Sequence, residues 1–103
     1  MSINLGYDSD LTVLLCPTCG HSCTHHTVVD VYSRQEDAEA TFTRVGDDEM
    51  APIGNPSSRR SGLNIGFYCE SCPQRFWLRL EQHKGQTFLS VARGEVDKRS
   101  FGP

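Results

Sequence analysis

A chain of 103 residues has room for one domain and none for a second independent core. With 37% hydrophobic residues its core is small, so a metal or another cross-link would help to stabilise it. The net charge of -3 argues against a general binder of polyanions. That charge is uneven, because residues 1–58 hold nine acidic and two basic side chains and residues 59–103 hold four acidic and eight basic ones. We expect a single domain over residues 1–103 with an acidic and a basic region.

The amino-terminal segment carries no targeting pattern. No basic region precedes its short apolar run, Leu11–Leu15, and no segment of the chain approaches the roughly 18 apolar residues of a membrane span. We therefore expect a protein of the reducing cytoplasm with no membrane partner. In that compartment paired CxxC motifs indicate a metal site before disulfides, and five cysteines fit four ligands plus a spare.

Strand signals dominate the chain, and helix signals are scarce. β-Branched and aromatic residues, with period-two alternation, predict strands at residues 11–15, 27–32, 40–45, 63–68, 74–83 and 86–93. Alternation in residues 74–83 places Phe76, Leu78 and Leu80 on one face and Trp77, Arg79 and Glu81 on the other. The last two strands form a natural hairpin about residues 83–86.

Three segments lack a strand pattern. Residues 33–39 fit one helical turn, opened by Ser33 with Glu36 at the capping-box position, or equally a hairpin loop. Residues 46–62 are rich in Gly, Pro and Ser, which predicts an exposed loop that is either disordered or used for binding. Residues 94–103 are polar, and we expect this tail to fray.

Two CxxC motifs carry the strongest functional signal, and their cysteines are Cys16, Cys19, Cys69 and Cys72. Two residues between cysteines let both thiolates of one tight turn face the same point, and two such turns supply four ligands for tetrahedral Zn²⁺. Gly20 suits the left-handed backbone that often follows the second cysteine of such a turn. The sequence therefore predicts a mainly β fold, a small zinc ribbon with two CxxC knuckles on antiparallel hairpins and an expanded insertion between them.

The predicted metal site is structural, because four thiolates fill the coordination shell and leave no position for water. A redox CxxC motif would need a βαβ context, which is absent from the pattern of this sequence. Iron remains an alternative, since four thiolates do not by themselves exclude it.

Other potential ligands lie close to the first motif. Cys23 or His21 could replace one of the four cysteines or belong to a second site. His25 and His26 could donate to a metal-bound sulfur or ligate the metal, with the former role favoured. For each of these residues, an exposed polar side chain is the simpler interpretation.

Two basic segments predict a partner-binding surface. In the loop after residue 54, two adjacent arginines beside serine hydroxyls suit phosphate or carboxylate, and the candidates are Asn55, Arg59 and Arg60. The alternative is a solvated loop with ordinary surface charge. In the later hairpin, a basic face around an aromatic resembles single-strand nucleic-acid binders, with Arg75, Trp77, Arg79 and Lys84 as candidates. A tryptophan in a strand is more often a packing residue, so this second surface has a plain structural alternative.

Four stretches together resemble a known group of proteins: CPTCG, THHTVVDVYSRQEDAEAT, NPSSRRSGLNIGFYCESC and LRLEQHKGQT. They are similar to small zinc-ribbon proteins of uncharacterised function from actinobacteria and their bacteriophages, including mycobacteriophages. The resemblance implies the four cysteines of the CxxC motifs as ligands and places Cys23 where the family has another residue. It also implies a set of motif positions, namely His25, His26, Arg34, Glu36, Asp37, Asn55, Arg59, Arg60, Gln82, His83 and Lys84. It implies no activity.

The leading hypothesis is a non-enzymatic, phage-encoded zinc protein of the host cytoplasm that binds a host or phage protein and no small-molecule substrate. The alternative is a zinc ribbon that binds DNA or RNA in a transcription-related role, which is an analogy from fold. A small hydrolase that uses His25, His26 and His83 is a third hypothesis, and it would require a second, open metal site.

Overall fold

The structure is a computed structural model that describes residues 3–8, 11–35, 39–48, 50–58 and 60–94, with the backbone alone for residues 4, 7 and 8. The fold is mainly β, as predicted, and the described residues contain no helix. None of these residues therefore belongs to a helix that could cross a membrane. The predicted tail from residue 95 onward and residues Glu36, Asp37 and Arg59 lie outside the described residues.

The described residues form seven strands in two antiparallel sheets. They are β1 (Asn4–Asp8), β2 (Leu11–Leu15), β3 (Thr24–Ser33), β4 (Thr41–Gly46), β5 (Gly62–Cys69), β6 (Arg75–His83) and β7 (Gln86–Gly94). Strands β1 and β2 pair with each other, and the other five form a sheet in the order β4-β3-β5-β6-β7. Six of these strands match the predicted ones to within three residues at each end. Strand β1 was not predicted, because Leu5 and Tyr7, on either side of Gly6, are too few apolar residues to show a clear alternation.

The β6–β7 hairpin turns at Lys84 and Gly85, as predicted. Both residues have a positive φ, 51° and 78°, which is the backbone of the two-residue turn that matches the twist of paired strands. Strands β3 and β4 also form a hairpin, with Ser33 paired to Thr41. Ser33 therefore ends a strand, and the helical turn that the sequence also allowed, with Glu36 at its capping-box position, lies outside the described residues.

The five-stranded sheet has its core on one face, which we call the covered face. Val28, Trp77 and Met50 pack together there, each no more than 1% exposed, and Ala92 contacts them. Val28 and Trp77 share a row across the sheet with Gly66 and Ala92. Met50 is not in a strand; it reaches the sheet from the segment between β4 and β5. The core is thus made by strands β3, β5, β6 and β7 and one residue of a loop.

That loop is only in part the exposed segment that the sequence predicted for residues 46–62: residues 51–54 are exposed, but others are buried. Met50 is buried in the core and Ser57 is 3% exposed. The Ser57 hydroxyl donates to the Gln82 carbonyl at 2.8 Å, and Asn64 Nδ2 donates to the Gly54 carbonyl at 2.9 Å. The sequence did not indicate these contacts, because Gly, Pro and Ser indicate irregular backbone but do not distinguish a free loop from one that contacts a sheet.

Ion pairs lie under the same loop. Arg44 on β4 makes two hydrogen bonds to the fully buried Asp30 on β3, at 2.6 and 2.8 Å, and a third to the Met50 carbonyl at 3.0 Å. Arg75 on β6 donates to Asp48 at 3.1 Å. These contacts tie the first part of the loop to the sheet, because Arg44 reaches Met50 and Arg75 reaches Asp48.

The opposite face of the five-stranded sheet, which we call the open face, is apolar. Strand register and alternation place on it Val29, Val31, Val45, Leu63, Ile65, Phe67, Phe76, Leu78, Leu80, Leu89 and Val91. Phe76 and Val91 are buried, most of the others are half-buried, and Val45 and Leu89 are more than half exposed. The accessible part of this face lies toward the β6–β7 turn, where Leu89 is exposed, because Phe76 and Val91 nearer the cysteines are already buried.

Candidate metal centre

The two CxxC segments meet at one end of the five-stranded sheet. Cys16 and Cys19 lie between β2 and β3, and Cys69 and Cys72 lie at the turn between β5 and β6. Because β3 pairs with β5, Thr24 lies opposite Cys69, and this register brings the first turn beside the second. The Glu70 amide donates to the Cys23 carbonyl at 3.1 Å, which fixes the two segments to each other.

The four predicted cysteines form one group, with all four sulfur atoms within 4.8 Å of one another. The Cys16 and Cys72 sulfurs are 3.7 Å apart, and those of Cys19 and Cys69 are 3.5 Å apart. Both separations exceed the roughly 2.05 Å of a disulfide. A tetrahedral ion with Zn–S bonds of about 2.3 Å has sulfur atoms about 3.8 Å apart along each edge. The donor set and its spacing therefore fit one tetrahedral, thiophilic metal ion.

Backbone hydrogen bonds in the first CxxC turn hold its two cysteines in a geometry that suits metal binding. The Gly20 amide donates to the Cys16 carbonyl at 2.9 Å, and the Cys16 amide donates to the His21 carbonyl at 2.9 Å. Gly20 has a φ of 79°, the left-handed conformation predicted for it. These bonds close the turn so that Cys16 and Cys19 face the same point.

The local environment favours ionisation of one thiol and opposes that of two others. At Cys16, burial raises the pKa, but the amides of Cys19 and Thr18 and the thiols of Cys69 and Cys72 outweigh it and lower the pKa to about 7. Burial raises the pKa of Cys69. A hydrogen bond from Gln74 lowers the pKa of Cys72, yet burial and the other three thiols raise it to about 12. Cys69 and Cys72 therefore favour the protonated form until a cation binds, while Cys16 ionises more readily.

The chemistry open to such a centre is limited. If all four sulfurs bind one ion, a tetrahedral shell is complete, and water or substrate has no coordination position. Cys16 and Cys69 are buried, while Cys19 is exposed. An arrangement of this kind cross-links the chain between positions about 50 residues apart and provides no catalytic group of its own.

Cys23, His25 and His26 lie near the four cysteines but are not part of the group. His25 Nε2 lies 3.2 Å from Glu70 Oε2, and its ring stacks on Tyr68. His26 contacts the edge of Phe67. Within the described part of the chain neither imidazole bonds a cysteine sulfur, so the predicted donation from a histidine to a metal-bound sulfur is not present.

Glu70 is a neighbour of the centre that the sequence did not single out. Hydrogen bonds from His25 and then from Cys23 lower the pKa of its exposed carboxyl. Its position inside the second CxxC motif was visible, but its partners were not, because they depend on the register between β3 and β5. His21, the other candidate near this motif, accepts a hydrogen bond from the Cys23 amide at its Nδ1, at 3.1 Å.

The predicted partner-binding residues have other roles in the fold. Trp77 is fully buried in the core, so the prediction that it contacts a partner is wrong, and its packing alternative is correct. Asn55 closes a turn by donating to the Arg60 carbonyl and accepting from the Ser57 amide. Arg75 pairs with Asp48, which is 3% exposed at its side chain. Arg79 is half-buried, and its Nε is buried.

Lys84 and Arg60 are the predicted contacts that remain exposed, while Arg59 lies outside the described residues. Because Trp77 is buried, Lys84 and Arg60 do not form with it the aromatic and basic face that was predicted to bind nucleic acid. The histidines of the third hypothesis are also apart: His83 lies at the opposite end of β6 from the cysteines and contacts Phe88.

Comparison with known proteins adds no family to these observations. No protein-family model, no curated protein and no solved structure matches this chain. The resemblance to the actinobacterial and phage proteins therefore stays a prediction.

Proposed function

We propose that this chain is a non-enzymatic zinc protein in which the metal is structural and the function is to bind another protein. The grouping of four cysteine sulfurs within 4.8 Å, at separations near a tetrahedral edge, is the observation that carries the proposal. A complete shell of thiolates stabilises a fold and leaves no position for a reacting water.

The position of the centre explains what the metal would stabilise. One ion bound by Cys16 and Cys72, and by Cys19 and Cys69, joins the segment after the small β1–β2 sheet to the turn between β5 and β6. A hydrogen bond from the Thr24 hydroxyl to the Leu14 carbonyl, at 3.2 Å, already joins the two sheets, and the metal would add a stronger cross-link beside it. Its removal should free the small sheet and loosen the end of the large one.

Binding to a protein is favoured over binding to nucleic acid by the surface of the fold. The expected stacking residue, Trp77, lies in the core, and Arg75 is paired with an acidic side chain. The open face of the sheet, in contrast, presents apolar side chains, which is typical of protein-binding surfaces. An origin in a bacteriophage and a place in the host cytoplasm belong to the proposal on the strength of the sequence resemblance alone.

The metal part of the proposal is tested by metal analysis of the protein purified without added metal. We expect one zinc per chain, and after exchange for Co²⁺ an absorption spectrum typical of four thiolates in a tetrahedron. Iron in place of zinc would change the cofactor, and a second bound metal with an open position would contradict the non-enzymatic proposal.

The protein-binding part of the proposal is tested by capture of partners on immobilised zinc-loaded protein. A chelator-treated sample of the same protein is immobilised as the control. A partner identified from an actinobacterial lysate must then bind in a direct titration with purified components. Fluorescence anisotropy with single- and double-stranded oligonucleotides at two salt concentrations provides the opposing measurement. Specific binding that weakens steeply with salt would favour the nucleic-acid function instead.

A further inference from the structure

We propose that a second copy of the chain packs on the open face, so that two five-stranded sheets form a β-sandwich related by a two-fold axis. This inference deepens the proposed function, because it names one protein that the chain binds. It rests on the proposed function only because the dimer requires the folded, metal-bound protein. Its support comes from the charge, size and shape of the open face.

The open face is almost free of charge. Among the described strand positions on that face, Arg93 at the end of β7 is the one Asp, Glu, Lys or Arg, and the polar positions include His26, Ser33, Thr41, Thr43, Gln82 and Thr87. The covered face, by comparison, carries Asp30, Arg44 and Arg75. A two-fold axis brings each residue of a surface against the same surface of the other copy, so a charged face would repel itself. An uncharged apolar face is complementary to its own copy.

The face is also large enough for a stable contact. Five strands about 4.8 Å apart and about eight residues long, at about 3.3 Å per residue, span about 24 by 26 Å, or about 600 Å². Such a patch is at the upper end of what a monomeric protein leaves exposed. Because Phe76 and Val91 are already buried, two such faces would bury at most about 1,200 Å² in total, which is at the lower end of specific interfaces.

The shape of the face suits contact with an identical surface, which needs both a projection and a hollow. Leu89 on β7 is 57% exposed and projects from the face. Beside it lies a hollow of about 300 Å³, whose walls include Val31, Leu63 and Leu80. Leu80 is the register partner of Leu89, so the projection and the hollow are adjacent. Sheets in such a contact pack about 10 Å apart with their strands roughly aligned.

The test is sedimentation of the zinc-loaded, full-length protein over a series of concentrations. We expect a transition from the 11.5 kDa monomer to a dimer of twice that mass. Leu89→Asp should weaken dimerisation at least tenfold, because two carboxylates would enter an apolar contact. Phe88→Asp is the matched control: Phe88 is the neighbouring residue, 45% exposed and on the other face, and its replacement should leave the dimerisation constant unchanged.

A second variant, Leu78→Gln at the middle of the face, should also weaken the dimer. Metal content and circular dichroism verify that each variant is folded; if Leu78→Gln does not fold, the comparison of Leu89→Asp with Phe88→Asp decides. A folded, zinc-bound protein that stays monomeric at every concentration would overturn the dimer while leaving the metal and a different protein partner in place. A dimer that is indifferent to both open-face variants would overturn it as well, since the contact would then lie at a sheet edge or elsewhere.

Discussion

The methyl group of Met50 lies against the backbone of Gly66, at the place where a side chain would begin. A Cβ atom on Gly66 would lie 2.6 Å from Met50 Cε and 2.7 Å from Val28 Cγ1. The segment between β4 and β5 therefore fits onto the sheet because residue 66 has no side chain. This contact explains why a segment rich in Gly, Pro and Ser is fixed to the protein.

Replacement of Gly66 by alanine should displace this segment. The added methyl group overpacks the core, which costs about 1–3 kcal/mol of the free energy of unfolding. Chemical denaturation of the zinc-loaded protein measures the loss. Gly6→Ala is the matched control, because its Cβ would meet Leu15 at an ordinary 3.4 Å. Equal stability of the two variants would mean that Met50 does not pack as described.

Loss of Arg44 should be far more damaging than loss of an ordinary surface charge. Asp30 is fully buried, and Arg44 supplies two hydrogen bonds to its carboxylate. Arg44→Met leaves this carboxylate without its partner, and we expect a cost of about 3–5 kcal/mol. The double variant Arg44→Met with Asp30→Asn should recover part of that loss, because the unpaired charge is gone. Additive effects in the denaturation experiment would argue against a coupled pair.

Cys69→Ser should abolish zinc binding and unfold the domain. A serine hydroxyl does not replace a thiolate in the shell, and the four sulfurs act together as one cross-link. Metal content and thermal unfolding measure both effects. Cys23→Ser is the matched control, since Cys23 is exposed and outside the group, and it should keep its zinc and its stability. A Cys69→Ser protein with native stability and zinc content would contradict the ligand assignment.

Zinc binding at pH 7 should release at least two protons. The pKa is about 7 for Cys16, raised for Cys69 and about 12 for Cys72, so most of these thiols are protonated before the metal binds as thiolates. Because protons compete with zinc, the apparent affinity should rise with pH through neutrality and fall as pH is lowered. Calorimetric titration in buffers of different ionisation enthalpy counts the protons. Release of fewer than two, or an affinity independent of pH, would disagree with these pKa values.

The single tryptophan provides a reporter for the core. Trp77 is fully buried, so its fluorescence should be resistant to acrylamide and unchanged by oligonucleotides. Removal of zinc by a chelator should make the same residue accessible to the quencher, since the sheet loosens at the metal end. Strong quenching by oligonucleotides in the zinc-loaded protein would restore the predicted stacking surface.

The sequence predicted which strand residues share a face, but it did not predict which face of the sheet would be covered. Phe76, Leu78 and Leu80 do share a face opposite Trp77 and Arg79, as the pattern indicated. The pattern did not indicate which face would be covered, because both faces of this sheet carry apolar residues. Met50 packs on the face that carries Trp77, and nothing in the sequence around Met50 distinguishes a core residue from an exposed one.

The sequence by itself determined the fold class, six of the seven strands and the four cysteines of the candidate metal centre. Alternation and CxxC spacing are local properties, and the short turn between two cysteines is fixed by the residues within it. Only the tertiary structure decided the other features: the pairing of β3 with β5 that brings His25 to Glu70, the burial of Trp77 and the loop held by Asp48, Arg75 and Met50. These depend on strand register and on contacts between distant segments, which local spacing does not encode.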